Sequence, residues 1–151
     1  MKYFTINELT KSATANRKGI DNTPSALIKE RLEALINNVL DPLREKWGAP
    51  IIVTSGYRCP ALNKAVGGAS GSQHMKGEAA DIRTVSDKPE DNMKLLKCLM
   101  TSGIIWDQVI CEYPDSKGNP NWIHISYKKG GKNRMKKTTC KNGRYINGIK
   151  Y

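Results

Sequence analysis

The sequence contains very little histidine, with His74 and His124 as the only two in 151 residues. Phenylalanine occurs once, and no apolar run approaches the roughly 20 residues that a membrane-spanning helix needs. The amino-terminal stretch MKYFTINELTKS lacks the apolar core of a secretory signal. We therefore expect a protein that is made in the cytoplasm without a signal peptide and has no transmembrane segment.

The four cysteines form no CxxC pair. They are Cys59, Cys98, Cys111 and Cys140. Their spacing fits neither a disulfide framework nor a zinc finger, so we expect mostly buried, reduced thiols. That expectation favours synthesis in a reducing compartment.

Acidic residues are absent after Asp115, although the chain has a net charge of +11. The last 36 residues carry ten basic ones: Lys117, Lys128, Lys129, Lys132, Arg134, Lys136, Lys137, Lys141, Arg144 and Lys150. Such a segment attracts polyanions, among them nucleic acids, anionic membranes and anionic cell-wall polymers. It is equally compatible with a solvated surface that only favours solubility, because charge identifies no partner.

The length predicts one monomeric domain, residues 1–151, which can bury about 70% of its unfolded-state surface. Thr5 and Glu8 resemble a capping box for a short first helix. Thr23 and Pro24 are typical of a helix start, Pro42 predicts a kink or break, and Gly48 predicts the end. The helix between them has an apolar stripe: Leu27, Ile28, Leu32, Leu35, Ile36, Val39, Leu40 and Leu43.

The rest of the sequence alternates between strands and one more helix. IIVTSGYR, EAADIRT, DQVICEY and WIHISY are typical of strands, and residues 88–101 of a helix. Near the end, RMKKTTC and RYINGIKY surround KNG, which predicts a basic hairpin at about residues 128–151. Helices that come early and hairpins that come late predict an α+β fold, an antiparallel sheet with N-terminal helices packed on it.

The last two strands before the hairpin place polar side chains together. In WIHIS, Ile123 and Ile125 point to one face and His124 to the other. If the two strands pair with Glu112 opposite Trp122, Glu112 and His124 become diagonal neighbours on one face. A slip of one residue would separate them.

His74 and Asp81 lie in the stretch SGSQHMKGEAADIR, a Ser/Gly-rich loop that runs into a strand. With His124 they supply two imidazoles and one carboxylate, a common set for catalytic zinc, and Glu112 would then be a general base. A lone histidine or carboxylate is more often an ordinary surface or core residue than a metal ligand. Composition alone therefore favours a metal site no more than these ordinary roles.

Three motifs resemble the peptidase M15 family of zinc D-Ala-D-Ala carboxypeptidases and phage endolysins. SQHMKGEAADI resembles its SxHxxGxAxD signature, SGYRCPALNKAVGG its SGYR segment, and WIHIS its second zinc-histidine strand. The resemblance runs from about residue 5 to 127. It implies a hedgehog/D-Ala-D-Ala peptidase-like fold with the zinc site on the open face of the sheet.

One position departs from the best-known members, which place the glutamate three residues before the second histidine. Asn121 stands there and cannot act as a base. In another branch of the family the glutamate lies on the preceding strand. Glu112 stands on that strand here, so the resemblance implies Glu112 as the base. Asp107 and Asp115 are weaker candidates for the base.

The resemblance implies Zn²⁺ bound by His74, Asp81 and His124. Glu112 would be the base and Arg58 would stabilise the oxyanion or bind a substrate carboxylate. Ser72 and Gln73 would hydrogen-bond the substrate. Gly77 and the alanines would let the backbone approach the metal and leave room for a peptide.

The implied substrate is the peptidoglycan stem peptide, cut at either the terminal D-Ala-D-Ala or the internal L-Ala-D-Glu bond. An endolysin would then act on the cell wall outside the cytoplasm. Two alternatives remain: a zinc-bearing wall-binding module without hydrolysis, and a nucleic-acid binder with Tyr127, Tyr145 and Tyr151 among its lysines. No nucleic-acid motif supports the second, so no specific nucleic acid is expected.

Overall fold

The computed structural model describes residues 1–151, and it contains six α-helices and six strands. The helices are α1 (Ile6–Thr10), α2 (Ala13–Lys18), α3 (Ala26–Leu35), α4 (Asp41–Trp47), α5 (Pro60–Ala65) and α6 (Pro89–Met100). The strands are β1 (Ile51–Ser55), β2 (Ala79–Thr84), β3 (Gln108–Glu112), β4 (Trp122–Ser126), β5 (Lys136–Lys141) and β6 (Arg144–Asn147). No helix is both long and apolar enough to cross a membrane.

All six strands form one sheet in the order β1-β2-β4-β3-β5-β6. Every neighbouring pair is antiparallel except β3 and β5, which run parallel. The mostly antiparallel sheet and its helices confirm the α+β fold that the sequence predicts.

The hydrophobic core lies between one face of the sheet and the helices α3, α4 and α6. Ile123 and Ile125 are fully buried in it, so WIHIS presents its isoleucines to the core as predicted. Leu32, Leu35 and Leu43 of the helical stripe are also fully buried. Because the isoleucines occupy the core face, the alternation of β4 places His124 on the opposite face.

The long helix that runs from α3 into α4 differs from the prediction at both its start and its middle. It begins after Ser25, whose hydroxyl accepts a hydrogen bond from the backbone N–H of Ile28, so the predicted start at Thr23 was wrong. A π-helical turn, Ile36–Leu40, precedes Pro42, and the helix then continues to Trp47. The wider turn accommodates a proline that lacks an N–H and whose ring crowds the preceding turn. Gly48 ends the helix in the left-handed conformation, as predicted.

The four cysteines are free, with Cys111 and Cys140 buried and the other two half-buried. The C-terminal hairpin forms as predicted, with Asn142 and Gly143 both at positive φ in the turn between β5 and β6. Strand alternation, however, divides its charges between two faces. Lys136 pairs with Gln108 on the face that carries Glu112, whereas Lys137 and Lys141 lie on the other face.

Candidate active site

Three side chains that can bind a metal converge on the open face of the sheet. Asp81 of β2 lies directly opposite His124 of β4, and His74 reaches them from a 3₁₀ turn, Gln73–Lys76. Asp81 Oδ1 lies 3.3 Å from His74 Nε2 and 3.2 Å from His124 Nδ1. All three ligand atoms lie within 4.8 Å of one another. Two imidazole nitrogens and one carboxylate oxygen are a donor set that suits zinc and similar divalent metals.

The orientation of His74 is fixed by the backbone of Gly56. His74 Nδ1 lies 2.7 Å from the Gly56 carbonyl, so Nδ1–H donates there and Nε2 keeps its lone pair toward Asp81. A Cβ on Gly56 would stand 2.1 Å from the carbonyl oxygen of Leu9. Only glycine therefore allows this segment to pass so close to α1 and aim its carbonyl at the imidazole.

Gly77 has a different role from the one expected. It has a φ of +72°, and a Cβ there would lie 2.9 Å from Ile28 Cγ2 of α3. Its small size therefore serves a left-handed turn packed against a helix rather than a close approach to the candidate metal ligands. Ala79 and Ala80 are both fully buried, and Ala80 belongs to the core.

Glu112 lies beside this cluster in the register that the sequence suggested. It pairs with Trp122, and Ile110 pairs with His124, so Glu112 and His124 share a face. The Glu112 side chain is buried, and burial together with the Asp81 charge raises its pKa, while His124 acts in the opposite direction. A carboxylate with a raised pKa beside a metal site is the type of group that can accept and return a proton.

The two other carboxylates that were candidates for the base are occupied elsewhere. Asp107 is fully buried and receives hydrogen bonds from Arg134 and from Gln73. Burial opposes ionisation, but these hydrogen bonds lower the pKa of Asp107 to about 2. Asp115 accepts backbone N–H groups of Lys117 and Asn119 in a loop. Neither residue lines the cleft that contains Glu112.

Arg58 is the cation of the cleft. Burial lowers the pKa of its guanidinium, and the nearby Asp81 charge opposes that shift. Its Nη2 lies 3.4 Å from the Ser72 hydroxyl, while its Nε is buried without a partner. Buried donors are normally hydrogen-bonded, so this N–H is available to an acceptor from outside the protein, such as a substrate oxygen.

Both Ser72 and Gln73 make hydrogen bonds within the protein. Their role in substrate binding stays a prediction. The Ser72 hydroxyl accepts the backbone N–H of His74 at 3.2 Å and so caps the 3₁₀ turn. The Gln73 amide donates to Asp107 at 3.0 Å. These contacts hold the turn that carries His74, and both side chains still line the cleft.

The cleft around these residues has a volume of about 380 Å³, and part of its wall comes from the C-terminal hairpin. Glu112 pairs with Cys140, which pairs with Tyr145, so the three side chains form a row across the sheet. The sequence pattern did not identify Tyr145 or Cys140 as site residues. The alternation of side chains along β5 and β6 can be predicted from the sequence. No local pattern, however, indicates that β5 lies parallel to β3.

Comparison with known proteins agrees with this geometry. No curated protein matches the chain. The sequence model described as Peptidase M15 matches residues 2–126, which include His74, Asp81, Glu112 and His124. Since the match covers most of the chain, the chain belongs to the peptidase M15 family of metal-dependent peptidases.

Proposed function

We propose that the protein is a zinc peptidase that hydrolyses a peptide bond in the stem peptide of peptidoglycan. The proposed bond type is that of a D-Ala-D-Ala carboxypeptidase or an L-Ala-D-Glu endopeptidase. The observation that carries the proposal is the convergence of His74, Asp81 and His124 within 4.8 Å, next to the buried Glu112.

The donor set fits zinc. His74 Nε2, His124 Nδ1 and one Asp81 oxygen would hold the ion, and the Gly56 carbonyl keeps His74 in the required tautomer. Three protein ligands are the number found in catalytic zinc sites, which leave a position for water or substrate. The chemistry that bound zinc supplies is Lewis acidity toward the scissile carbonyl and increased acidity of the attacking water.

Glu112 would act as the general base and then as the acid. Its carboxylate would take a proton from the attacking water and return it to the amine that leaves when the C–N bond breaks. Burial suits this exchange because the raised pKa of Glu112 brings the carboxylate nearer to the pKa of its proton partners.

Arg58 would stabilise the negative charge that develops on the carbonyl oxygen. Its buried Nε has no partner, and the side chain lines the same cleft as Glu112. A donor that is already in place and partly desolvated costs little reorganisation when that charge forms.

The direct experiment is digestion of purified peptidoglycan with and without a chelator, with the released amino groups identified by mass spectrometry. We expect new amino groups that disappear with the chelator and return when zinc is added. The Glu112→Gln variant should release no new amino groups. The control variant Glu90→Gln changes an exposed glutamate on α6 and should behave as the wild type. Binding to the wall without new amino groups would favour a non-catalytic module instead.

A further inference from the structure

A second cleft, of about 510 Å³, lies on the other side of the metal-binding cluster. It runs along β1 toward α1 and α2, and its lining includes Glu8, Lys11, Thr14 and Thr54. Arg58, Val66 and Asp81 line both clefts. The two clefts therefore meet at Asp81 and Arg58 and form one groove with an arm on each side.

The second arm does not resemble a blind pocket for one terminal amino acid. Glu8, Lys11 and Thr54 are exposed, so the second arm opens to solvent along β1. Single binding sites of about 300–1,000 Å³ accommodate drug-sized ligands, so either arm has room for more than one alanine.

The position of Arg58 leads to the same conclusion. An enzyme that removes a C-terminal residue must bind the terminal carboxylate at the end of its site, and a guanidinium is well suited to that role. Arg58 instead stands where the two arms meet, half-buried and close enough to Asp81 for their charges to interact. A guanidinium at that junction would contact the reacting carbonyl of a peptide that occupies both arms, and not the end of its chain.

The sheet provides a floor for an extended substrate. One row of paired residues crosses from Ser55 through Asp81 and His124 to Ile110, and its members line the two arms. The four strands that this row crosses, spaced about 4.8 Å apart, span about 14 Å, the length of roughly four extended residues. A peptide that crosses the strands would pass over the metal ligands with residues bound on both sides.

We infer that the substrate occupies both arms of this groove and that the protein cuts an internal peptide bond, as an endopeptidase. This inference rests on the proposed function and selects between the two bond types named there. Hydrolysis then adds water across an internal amide and releases a fragment of two or more residues with a new amino group.

The first test uses a soluble disaccharide-pentapeptide that ends in D-Ala-D-Ala and the same compound with an amidated C-terminus. We expect both to be cut at similar rates, each releasing a fragment of two or more residues. Release of D-alanine alone, and only from the free acid, would overturn the inference while leaving the proposed function intact. Failure to cut these compounds and intact peptidoglycan would overturn the proposed function itself.

The second test obstructs the arm along β1. Thr14→Trp should lower kcat/KM on the disaccharide-pentapeptide by at least about tenfold, because displaced substrates react poorly. The matched control is Asn16→Trp, which adds the same side chain at an exposed position of α2 outside this arm. If Thr14→Trp does not fold, Lys11→Trp at an exposed position of the arm replaces it. Unchanged kcat/KM in the folded variant would mean that the substrate does not use this arm.

Discussion

The amide of Gln73 donates a hydrogen bond of 3.0 Å to the carboxylate of Asp107, and this contact links the loop of His74 to the start of β3. Arg134 holds the same carboxylate with Nε at 3.0 Å and Nη2 at 2.8 Å. Arg134 lies beyond the part of the chain that the family model matches. The C-terminal segment thus supports, through Asp107, the turn that presents His74, one of the proposed metal ligands.

Asp107→Asn should therefore reduce both stability and metal affinity. Loss of charged hydrogen bonds to a buried group costs about 1–3 kcal/mol in the free energy of unfolding. Loosening a group behind a metal ligand lowers metal affinity by about 10–100-fold. Urea unfolding and zinc titration measure the two effects, with Asp115→Asn as the control. Lost turnover with unchanged stability and zinc affinity would instead make Asp107 the base.

The Asp107 contacts also predict how stability depends on pH. The pKa of Asp107 falls from its usual 3.8 to about 2 in the folded protein. A lowered folded-state pKa stabilises the fold above pH 3.8, and this contribution is lost as the pH falls toward 2. The stability difference between the wild type and Asp107→Asn should shrink over that range in urea titrations. A difference that stays constant down to pH 2 would contradict the lowered pKa.

Metal binding should depend on both histidines. We expect about one zinc per chain, and His74→Ala or His124→Ala should abolish tight binding because each removes one of three ligands. Elemental analysis of dialysed protein measures the stoichiometry. Cys59→Ala is a suitable control, since that thiol caps α5 and is not part of the cluster. Full zinc occupancy in either histidine variant would reject the proposed ligand set.

Glu112→Gln should retain zinc and lose turnover by about 10²–10⁴-fold, the usual contribution of a general base. In the wild type, kcat/KM should rise with pH through the pKa of Glu112, which burial raises above its usual 4.5. The base works only when it is deprotonated, so activity is lost on the acidic side. Steady-state measurements of kcat/KM across pH test this acidic loss of activity. If the same loss persists in Glu112→Gln, it belongs to the titration of another group.

The basic hairpin should affect large substrates more than small ones. Lys137 and Lys141 lie on the sheet face opposite Glu112, so they can attract an anionic wall without entering the groove. Replacing Lys132, Lys137 and Lys141 with glutamine should slow lysis of intact walls and reduce its salt dependence, since exposed charges are screened beyond about 8–10 Å at physiological salt.

Cleavage of the soluble disaccharide-pentapeptide should change little in that triple variant. Lys136→Gln is the contrasting change, because Lys136 lies on the face that carries Glu112. Equal losses on both substrates in the triple variant would make the hairpin part of the active site or the fold. No loss on either would reduce the charge to a role in solubility.

Local sequence determined the features that depend on short-range periodicity. The alternation in WIHIS and QVICE predicted that His124 and Glu112 share a face if Glu112 lies opposite Trp122, and the structure has that register. The signature around His74 and Asp81 predicted the candidate ligands, which the fold brings together with His124. The strands, the helix of residues 88–101 and the hairpin turn also followed from local patterns.

Tertiary structure alone decided the features that depend on distant segments. The parallel pairing of β5 with β3 brought Cys140 and Tyr145 beside Glu112, and no local pattern specifies which strands become parallel neighbours. The structure pairs the buried Asp107 with Arg134 outside the cleft that contains Glu112, although in sequence Asp107 resembled any carboxylate at a strand end. Likewise, α1 and α2 form the second arm of the groove only because the chain returns to β1. These contacts join residues far apart in sequence, so their geometry arises from packing of the whole domain and not from the propensity of any one segment.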